Sequence, residues 1–361
     1  MQNDLARPRM QLSAAITAPF TMECVERPIP ALESGQALVK VKCAGICGSD
    51  LNRIAKCDSK NKGLTIGHEF VGVVEDAAEG CGDFRIGDRV VAVPLLPCGK
   101  CAYCQRGDYG HCPNYSFIGS RVAGGLAEYV ALPAANLIRI PDCIDDEEAV
   151  FIEPITVALH AVFRLERIIG SFIVISGAGT IGLIALQLFK RFGAGKVAVL
   201  DIVPEKLELA KRLGADYVFD SSSMSNLAPL KNVMNGFSRS IVFEGSNSAI
   251  GKSNAISLSL HLGQVVMVGG VSNGWNLTND IFEQIDRKEL DIKGSWMNYS
   301  APFPGDEWKT AVDLLAQKQI EVRPLISHRV SLANIADACK ALFDKTVVAI
   351  KVLIFPVERS A

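Results

Sequence analysis

The sequence lacks several things, and each absence excludes a class of protein. Charge of one sign is missing: 37 lysines and arginines face 39 aspartates and glutamates, for a formal net charge of −2. Without a basic surplus there is no electrostatic reason to expect nucleic acid or a membrane surface as partner. No apolar run reaches the roughly 18 residues of a membrane span. The opening stretch, MQNDLARPRM, has no apolar core of the signal-peptide kind. No internal repeat or low-complexity stretch occurs. The expected compartment is therefore the cytoplasm, where thiols stay reduced. The composition, 49% hydrophobic and 21% charged, is that of a globular chain. Its 361 residues exceed one ordinary core and suit two domains.

Against these absences stand 11 cysteines. Cys98, Cys101, Cys104 and Cys112 share one short loop in a C-x2-C-x2-C-x7-C pattern. Four thiolates on such a loop can close a tetrahedron around zinc, and a closed four-sulfur shell is a structural site. The alternative is four buried or disulfide-paired cysteines. His111 adjoins the last ligand of a shell that is already full and is expected at the surface. Cys24, Cys43, Cys57, Cys81, Cys143 and Cys339 are expected to behave as small apolar residues.

Residues 11–140 carry short alternating stretches separated by turn residues, which predicts a small barrel-like β domain. The pattern changes near residue 145. The stretch 145–163 is helical and expected to break at Pro154. Strands and helices then alternate through about residue 294, the signature of a parallel sheet covered on both faces. The strand 264–268, with 269–277 after it, is expected at the sheet edge. Helices follow over 308–317 and 333–343, then a last strand over 349–355.

Within the alternating region, Gly177-Ala178-Gly179-Thr180-Ile181-Gly182 follows an apolar strand and opens a helix. Gly177 permits the tight turn, Gly179 lets backbone approach a pyrophosphate, and Gly182 lets helix and sheet pack closely. The helix N-terminus favours the diphosphate charge. Asp201 ends the next strand, where a carboxylate accepts hydrogen bonds from ribose hydroxyls and repels a 2′-phosphate. The expected cofactor is NAD rather than NADP; the alternative is an ordinary strand–helix turn.

Cys47, His68 and Glu153 stand where strands or turns end, and each type is a zinc ligand when deprotonated. A catalytic zinc takes three protein ligands and leaves a fourth position open. Each residue also has a plain reading: a core cysteine, a hydrogen-bonded histidine, a helix-cap glutamate.

Cys47-Gly48-Ser49-Asp50, Gly67-His68-Glu69, the four-cysteine loop, Glu153-Pro154 and GAGTIG occur in the order seen in zinc-dependent medium-chain alcohol and polyol dehydrogenases, and the chain resembles that family over nearly its whole length. The resemblance implies an α/β protein: a GroES-like β-rich catalytic domain, residues 1–152 and 296–361, with a doubly wound Rossmann domain, 153–295, inserted. It implies a catalytic zinc on Cys47, His68 and Glu153, with Glu69 in support or exchanging as a ligand. Asp50 would orient His68, and Ser49 would bond the substrate hydroxyl and pass its proton towards the cofactor ribose. Asn52 stands where many relatives carry the histidine that ends this relay. The implied substrate is a polyol or polyol phosphate such as galactitol 1-phosphate, oxidised to a ketone. A phosphate needs cations; Arg53 and Arg121 are candidates, and Trp296 and Asn298 are further substrate candidates. Alternatives are a threonine, amino-alcohol or cyclitol dehydrogenase and, from another class, a non-catalytic NAD- and zinc-binding protein. The expected assembly is a homodimer, possibly paired into a tetramer.

Overall fold

The alternating stretch after residue 35 folds as a long strand, Gln36–Ile46, and a mixed β-sheet grows on both its sides. The computed structural model describes residues 9–270 and 274–356. The sheet has seven strands. Ile326–Ser331, Lys351–Phe355, Gln36–Ile46, Glu69–Ala77, Arg89–Ala92 and Leu137–Arg139 run side by side, and Tyr129–Pro133 also pairs with Gln36–Ile46. Val39, Val41, Phe70, Val74, Leu126 and Leu132 belong to the buried core beneath it. Register matters most at one end, where Gly45 pairs with Glu69 and Ile46 with Val352. The turn at Cys47, the start of the Glu69 strand and Lys351 therefore meet there.

Two local features at that end set its geometry. The strand after Thr65 begins only at Glu69. Gly67 holds a left-handed φ of +99°, and an added Cβ would lie 3.0 Å from the Leu126 main-chain nitrogen, so Gly67-His68 forms a turn instead. A helix spans Gly48–Lys56. Its start is fixed by Asp50, whose carboxylate accepts the Cys47 N–H at 3.0 Å. Such capping leaves no apolar period to read. Of the cysteines expected to be plain apolar residues, Cys43, Cys81 and Cys339 are buried, whereas Cys143 is exposed.

The alternating region builds a six-stranded, all-parallel sheet ordered Tyr217–Asp220, Lys196–Asp201, Phe172–Ser176, Ser240–Glu244, Gln264–Met267, Asp291–Gly294. In chain order this is 3-2-1-4-5-6, a doubly wound sheet. Phe172–Ser176 and Ser240–Glu244 are buried along their whole length, as central parallel strands must be.

The expected edge position of 264–268 is wrong: Gln264–Met267 is flanked on both sides, and Asp291–Gly294 is the edge. The apolar Val265 and Val266 suit an interior strand, while the charged DIKG sequence suits an edge. Of the stretch 269–277 placed beside it, residues 271–273 lie outside the described residues. The expected break at Pro154 is absent too. Helix Ile152–Phe163 runs through it, because a proline in the first turn forfeits no intrahelical hydrogen bond. The parallel strand Ile326–Ser331, half exposed and without clear alternation, was not anticipated.

The described residues divide into two units. One comprises the chain up to Glu153, Ser300–Gln319 and the chain from Ile326. The other comprises Pro154–Tyr299 and Ile320–Leu325. Local bonds account for the boundary positions: Asn298 donates to the Thr156 hydroxyl, and Gln187 bonds both main-chain groups of Glu321, at 2.7 and 2.9 Å.

Candidate metal centres and dinucleotide site

The four-cysteine loop wraps on itself. Sulfurs of Cys98, Cys101, Cys104 and Cys112 all lie within 4.8 Å of one another. Cys101 caps the short helix Ala102–Arg106 by accepting the Cys104 N–H at 3.5 Å, and the Cys98 N–H points at the Cys112 sulfur at 3.4 Å. Backbone N–H groups of Lys100 and Cys101 pull the Cys98 thiol down to about 6, whereas burial pushes the Cys104 thiol up to about 12. Four sulfurs packed this closely cannot all be thiolates without a cation among them. The donor set fits zinc, which takes thiolates at about 2.3 Å in a tetrahedron. His111 is exposed and stacks on Tyr103.

A second group forms at the sheet end. Ligand atoms of Cys47, His68 and Glu69 lie within 4.8 Å of one another. Asp50, fully buried, places one carboxylate oxygen 3.4 Å from His68 Nδ1 and 3.2 Å from Arg53 Nη1. Burial opposes its charge, but His68, Arg53 and the Cys47 N–H hold its carboxyl below the usual range. Burial likewise opposes a charged His68, yet Asp50 and Cys47 raise the imidazole well above its ordinary value. Facing Nδ1, Asp50 fixes which ring nitrogen is left for a ligand role.

Glu153 is buried in the first turn of Ile152–Phe163, outside that group of three. It is close enough to feel the group's charge: burial, with Glu69 and Asp50 adding repulsion, pushes its carboxyl up to about 7 against the pull of His68 and Lys351. Lys351 was missed in the sequence. Only 2% exposed, it donates to the Glu69 carboxylate and to the Ile46 carbonyl at 3.4 Å. Burial opposes its charge, but Glu69, Cys47 and Glu153 keep its pKa raised. The available signal was a lysine opening the apolar strand KVLIF.

The other predicted residues are spread more widely. Ser49 accepts a hydrogen bond from Arg53 at 3.0 Å, so the Arg53 guanidinium is engaged with Ser49 and Asp50. Arg121 is exposed, stacked over Tyr115 and bonded to the Tyr115 carbonyl. Trp296 and Asn298 belong to the second unit, where Trp296 is 62% exposed and Asn298 is buried.

In the second unit, Gly177 follows Phe172–Ser176 with a φ of +100°, and Gly179 caps helix Thr180–Arg191. An added Cβ at Gly182 would run into the Gly177 carbonyl, so helix and turn touch through backbone. Asp201 closes its strand beside this turn. Its carboxylate accepts the Ala178 N–H at 2.7 Å and the Val203 N–H at 3.0 Å. An ionised carboxylate has about four acceptor sites, so capacity for ribose hydroxyls remains.

Known proteins match this arrangement. Residues 33–142 fit the alcohol dehydrogenase GroES-like domain, and residues 180–317 fit the zinc-binding dehydrogenase domain. The chain is 40% identical to galactitol 1-phosphate 5-dehydrogenase of Escherichia coli (strain K12) over 334 residues, 92% of this chain and 96% of that one. The chain belongs to the zinc-binding alcohol dehydrogenase family. As a zinc-type dehydrogenase it is an oxidoreductase, with a GroES-like domain and a Rossmann domain. A sorbitol dehydrogenase of Halalkalibacterium halodurans is 31% identical over 336 residues, covering 92% of this dehydrogenase and 95% of that protein. The crystal structure of galactitol-1-phosphate dehydrogenase from Escherichia coli superposes with a TM-score of 0.90 at 37% identity, covering 96% of this chain and 100% of that one. The family resemblance read from the motifs is thereby established.

Proposed function

We propose that this dehydrogenase oxidises a secondary alcohol of a polyol or polyol phosphate, of the galactitol 1-phosphate type, to a ketone with NAD as hydride acceptor. The observation that carries this reading is the close group of half-buried Cys47 with buried His68 and Glu69, in a chain similar to polyol dehydrogenases along most of its length. Sulfur, imidazole nitrogen and carboxylate suit a catalytic zinc; its ligands would be Cys47, His68 and Glu153, with Glu69, already bonded to Lys351, in support or exchanging. When bound, zinc supplies Lewis acidity that polarises the alcohol, and NAD supplies the hydride acceptor. Cys98, Cys101, Cys104 and Cys112 would hold a second, structural zinc.

The chain's own residues do the rest. Asp50 holds the His68 ring by its Nδ1 side. Ser49, steadied by Arg53, offers its hydroxyl to the substrate hydroxyl and receives its proton. Asn52 is exposed and has no titratable group, so the proton continues to water rather than to an imidazole. The turn Gly177–Gly182, with Thr180 and Ile181 opening the helix, takes the diphosphate, and Asp201 takes the adenosine ribose. Arg53 and Arg121 are the candidate cations for a substrate phosphate, and Trp296 and Asn298 are further substrate candidates.

The assembly we propose is a homodimer formed through Asp291–Gly294, the edge strand, beside helix Asn279–Arg287, which buries none of its residues and exposes Phe282. We further propose a cytoplasmic location, where the thiols of this cysteine-rich chain would stay reduced; among the described residues no helix is long and apolar enough to cross a membrane.

The test is turnover of polyols, polyol phosphates, cyclitols and amino alcohols with NAD and NADP, followed by reduced-cofactor absorbance. Highest kcat/KM is expected for a polyol phosphate or polyol with NAD. Preference for threonine or another amino alcohol would replace this reading with the amino-alcohol alternative, and a monomer in light scattering at micromolar concentration would remove the dimer.

A further inference from the structure

The second unit buries an ion pair that no step above uses. Lys252 Nζ lies 2.9 Å from one Glu244 carboxylate oxygen, and the two side chains are 6% and 0% exposed. The same ammonium donates to the Gly269 carbonyl at 2.7 Å. The other Glu244 oxygen accepts the Ser246 main-chain N–H at 2.9 Å and the Ser246 hydroxyl at 2.5 Å. Ser246 in turn meets the Ser248 hydroxyl at 3.0 Å, and Ser248 caps helix Ala249–Leu258 by accepting the Gly251 N–H at 2.8 Å. One network thus ties the end of Ser240–Glu244, the start of the helix after it and the backbone leaving Gln264–Met267.

Its place in the sheet gives it meaning. Strands Phe172–Ser176 and Ser240–Glu244 are neighbours, and the chain winds away from this junction in opposite directions. Ligands of doubly wound sheets lie outside the carboxyl ends of the strands at this switch point, one mononucleotide to each half. The Asp201 side is the adenosine half. Glu244, Lys252 and Gly269 stand at the carboxyl ends of the mirrored half. The two halves touch here: an added Cβ at Gly177 would lie 2.9 Å from Ser246 Cα.

A buried ion pair is seldom more stabilising than apolar side chains of the same volume, because both charges lose their hydration. What it provides is direction, since each hydrogen bond fixes one backbone group. We propose that Lys252 and Glu244 are positioning residues that shape the Gly245–Asn247 and Gly269 backbone to receive the nicotinamide-ribose end of the cofactor. This rests on the dinucleotide reading given above.

The experiment measures dissociation constants of NADH and ADP for the full chain by calorimetry. ADP keeps the adenosine and diphosphate but lacks the nicotinamide ribose. The variants are Lys252→Met, Lys252→Arg and the charge-free pair Glu244→Gln with Lys252→Met, which leaves no stranded charge if the single methionine variant does not fold. In the charge-free pair NADH affinity should fall about tenfold while ADP affinity stays within about twofold, and Lys252→Arg should retain most NADH affinity. Equal losses for both ligands, or none, would overturn the positioning role alone. A wild-type protein that binds neither ligand would overturn the dinucleotide reading, and this role with it.

Discussion

The two cysteine-bearing groups differ in how much chain each must gather. The four-sulfur group is drawn from one loop between Cys98 and Cys112, held by its own N–H groups and a five-residue helix, Ala102–Arg106. The Cys47 group, counted with Lys351, assembles from three separated stretches, and the Lys351–Glu69 contact alone joins residues 282 positions apart. The first is a local object that a metal can order by itself. The second exists only once strands Gln36–Ile46, Glu69–Ala77 and Lys351–Phe355 have paired.

The sharpest way to break this contrast is metal removal. On the two-zinc reading proposed above, a mild chelator should strip one zinc and abolish turnover while circular dichroism stays native, because four sulfurs close a zinc shell whereas a catalytic zinc keeps an open position. Ordering a structural site contributes on the order of 10–16 kcal/mol of apparent binding energy, so Cys104→Ser should instead lower stability and total zinc together. Loss of both metals in step under mild chelation would erase the distinction.

Next in size is Lys351→Met, which leaves the buried Glu69 carboxylate unpaired. The expected loss is about 3–5 kcal/mol in urea unfolding, and Glu69→Gln in the same background should recover part of it. A variant as stable as the wild type would show that the pair is dispensable.

Comparing Glu153→Ala with Glu69→Ala decides which carboxylate a metal uses at the dispersed group. Loss of zinc and turnover, with NADH binding intact, is expected chiefly for Glu153→Ala. The reverse ranking would favour the three-residue set Cys47, His68 and Glu69 as it stands.

Asp201→Ala tests the second unit. NAD affinity should fall about tenfold and NADP affinity less, because both a ribose acceptor and a repulsive charge disappear. An unchanged preference would release Asp201 from that role.

The smallest effect concerns Asp216, away from both groups. Burial opposes its charge, but Lys190, Lys196 and the Val197 N–H more than offset this and lower its pKa. A lowered carboxyl adds stability that is present above the unfolded value of about 3.9 and is lost as pH falls through the folded value. Asp216→Asn should therefore be slightly less stable than wild type at neutral pH and converge with it in acid unfolding curves.

The same contrast explains what was legible in the sequence. The four-cysteine spacing and the strand–glycine–helix pattern before Asp201 are local, and in the structure they appear as one loop with four close sulfurs and a strand–turn–helix beside Asp201. Cys47, His68 and Glu69 were readable as motifs, yet their grouping without Glu153 depends on strand register, which no motif encodes. Lys351 stayed hidden because a lysine before an apolar strand usually reaches solvent. Arg53 could be named as a phosphate candidate because its bonds to Ser49 and Asp50 arise from the spacing of helix Gly48–Lys56, which the sequence alone does not display. The edge strand was misplaced because apolar character marks an interior strand, and burial on both faces is a property of the whole sheet.

The late strand Lys351–Phe355 also imposes an order in time. During synthesis at roughly 5–20 residues per second, Glu69 leaves the ribosome about 15–60 s before the lysine that balances it, 282 positions later. Over that interval the nascent chain carries Cys47, His68 and Glu69 without their buried counter-charge. A polypeptide cut short before residue 351 would keep every cysteine and histidine of both groups and still lack the lysine that balances Glu69.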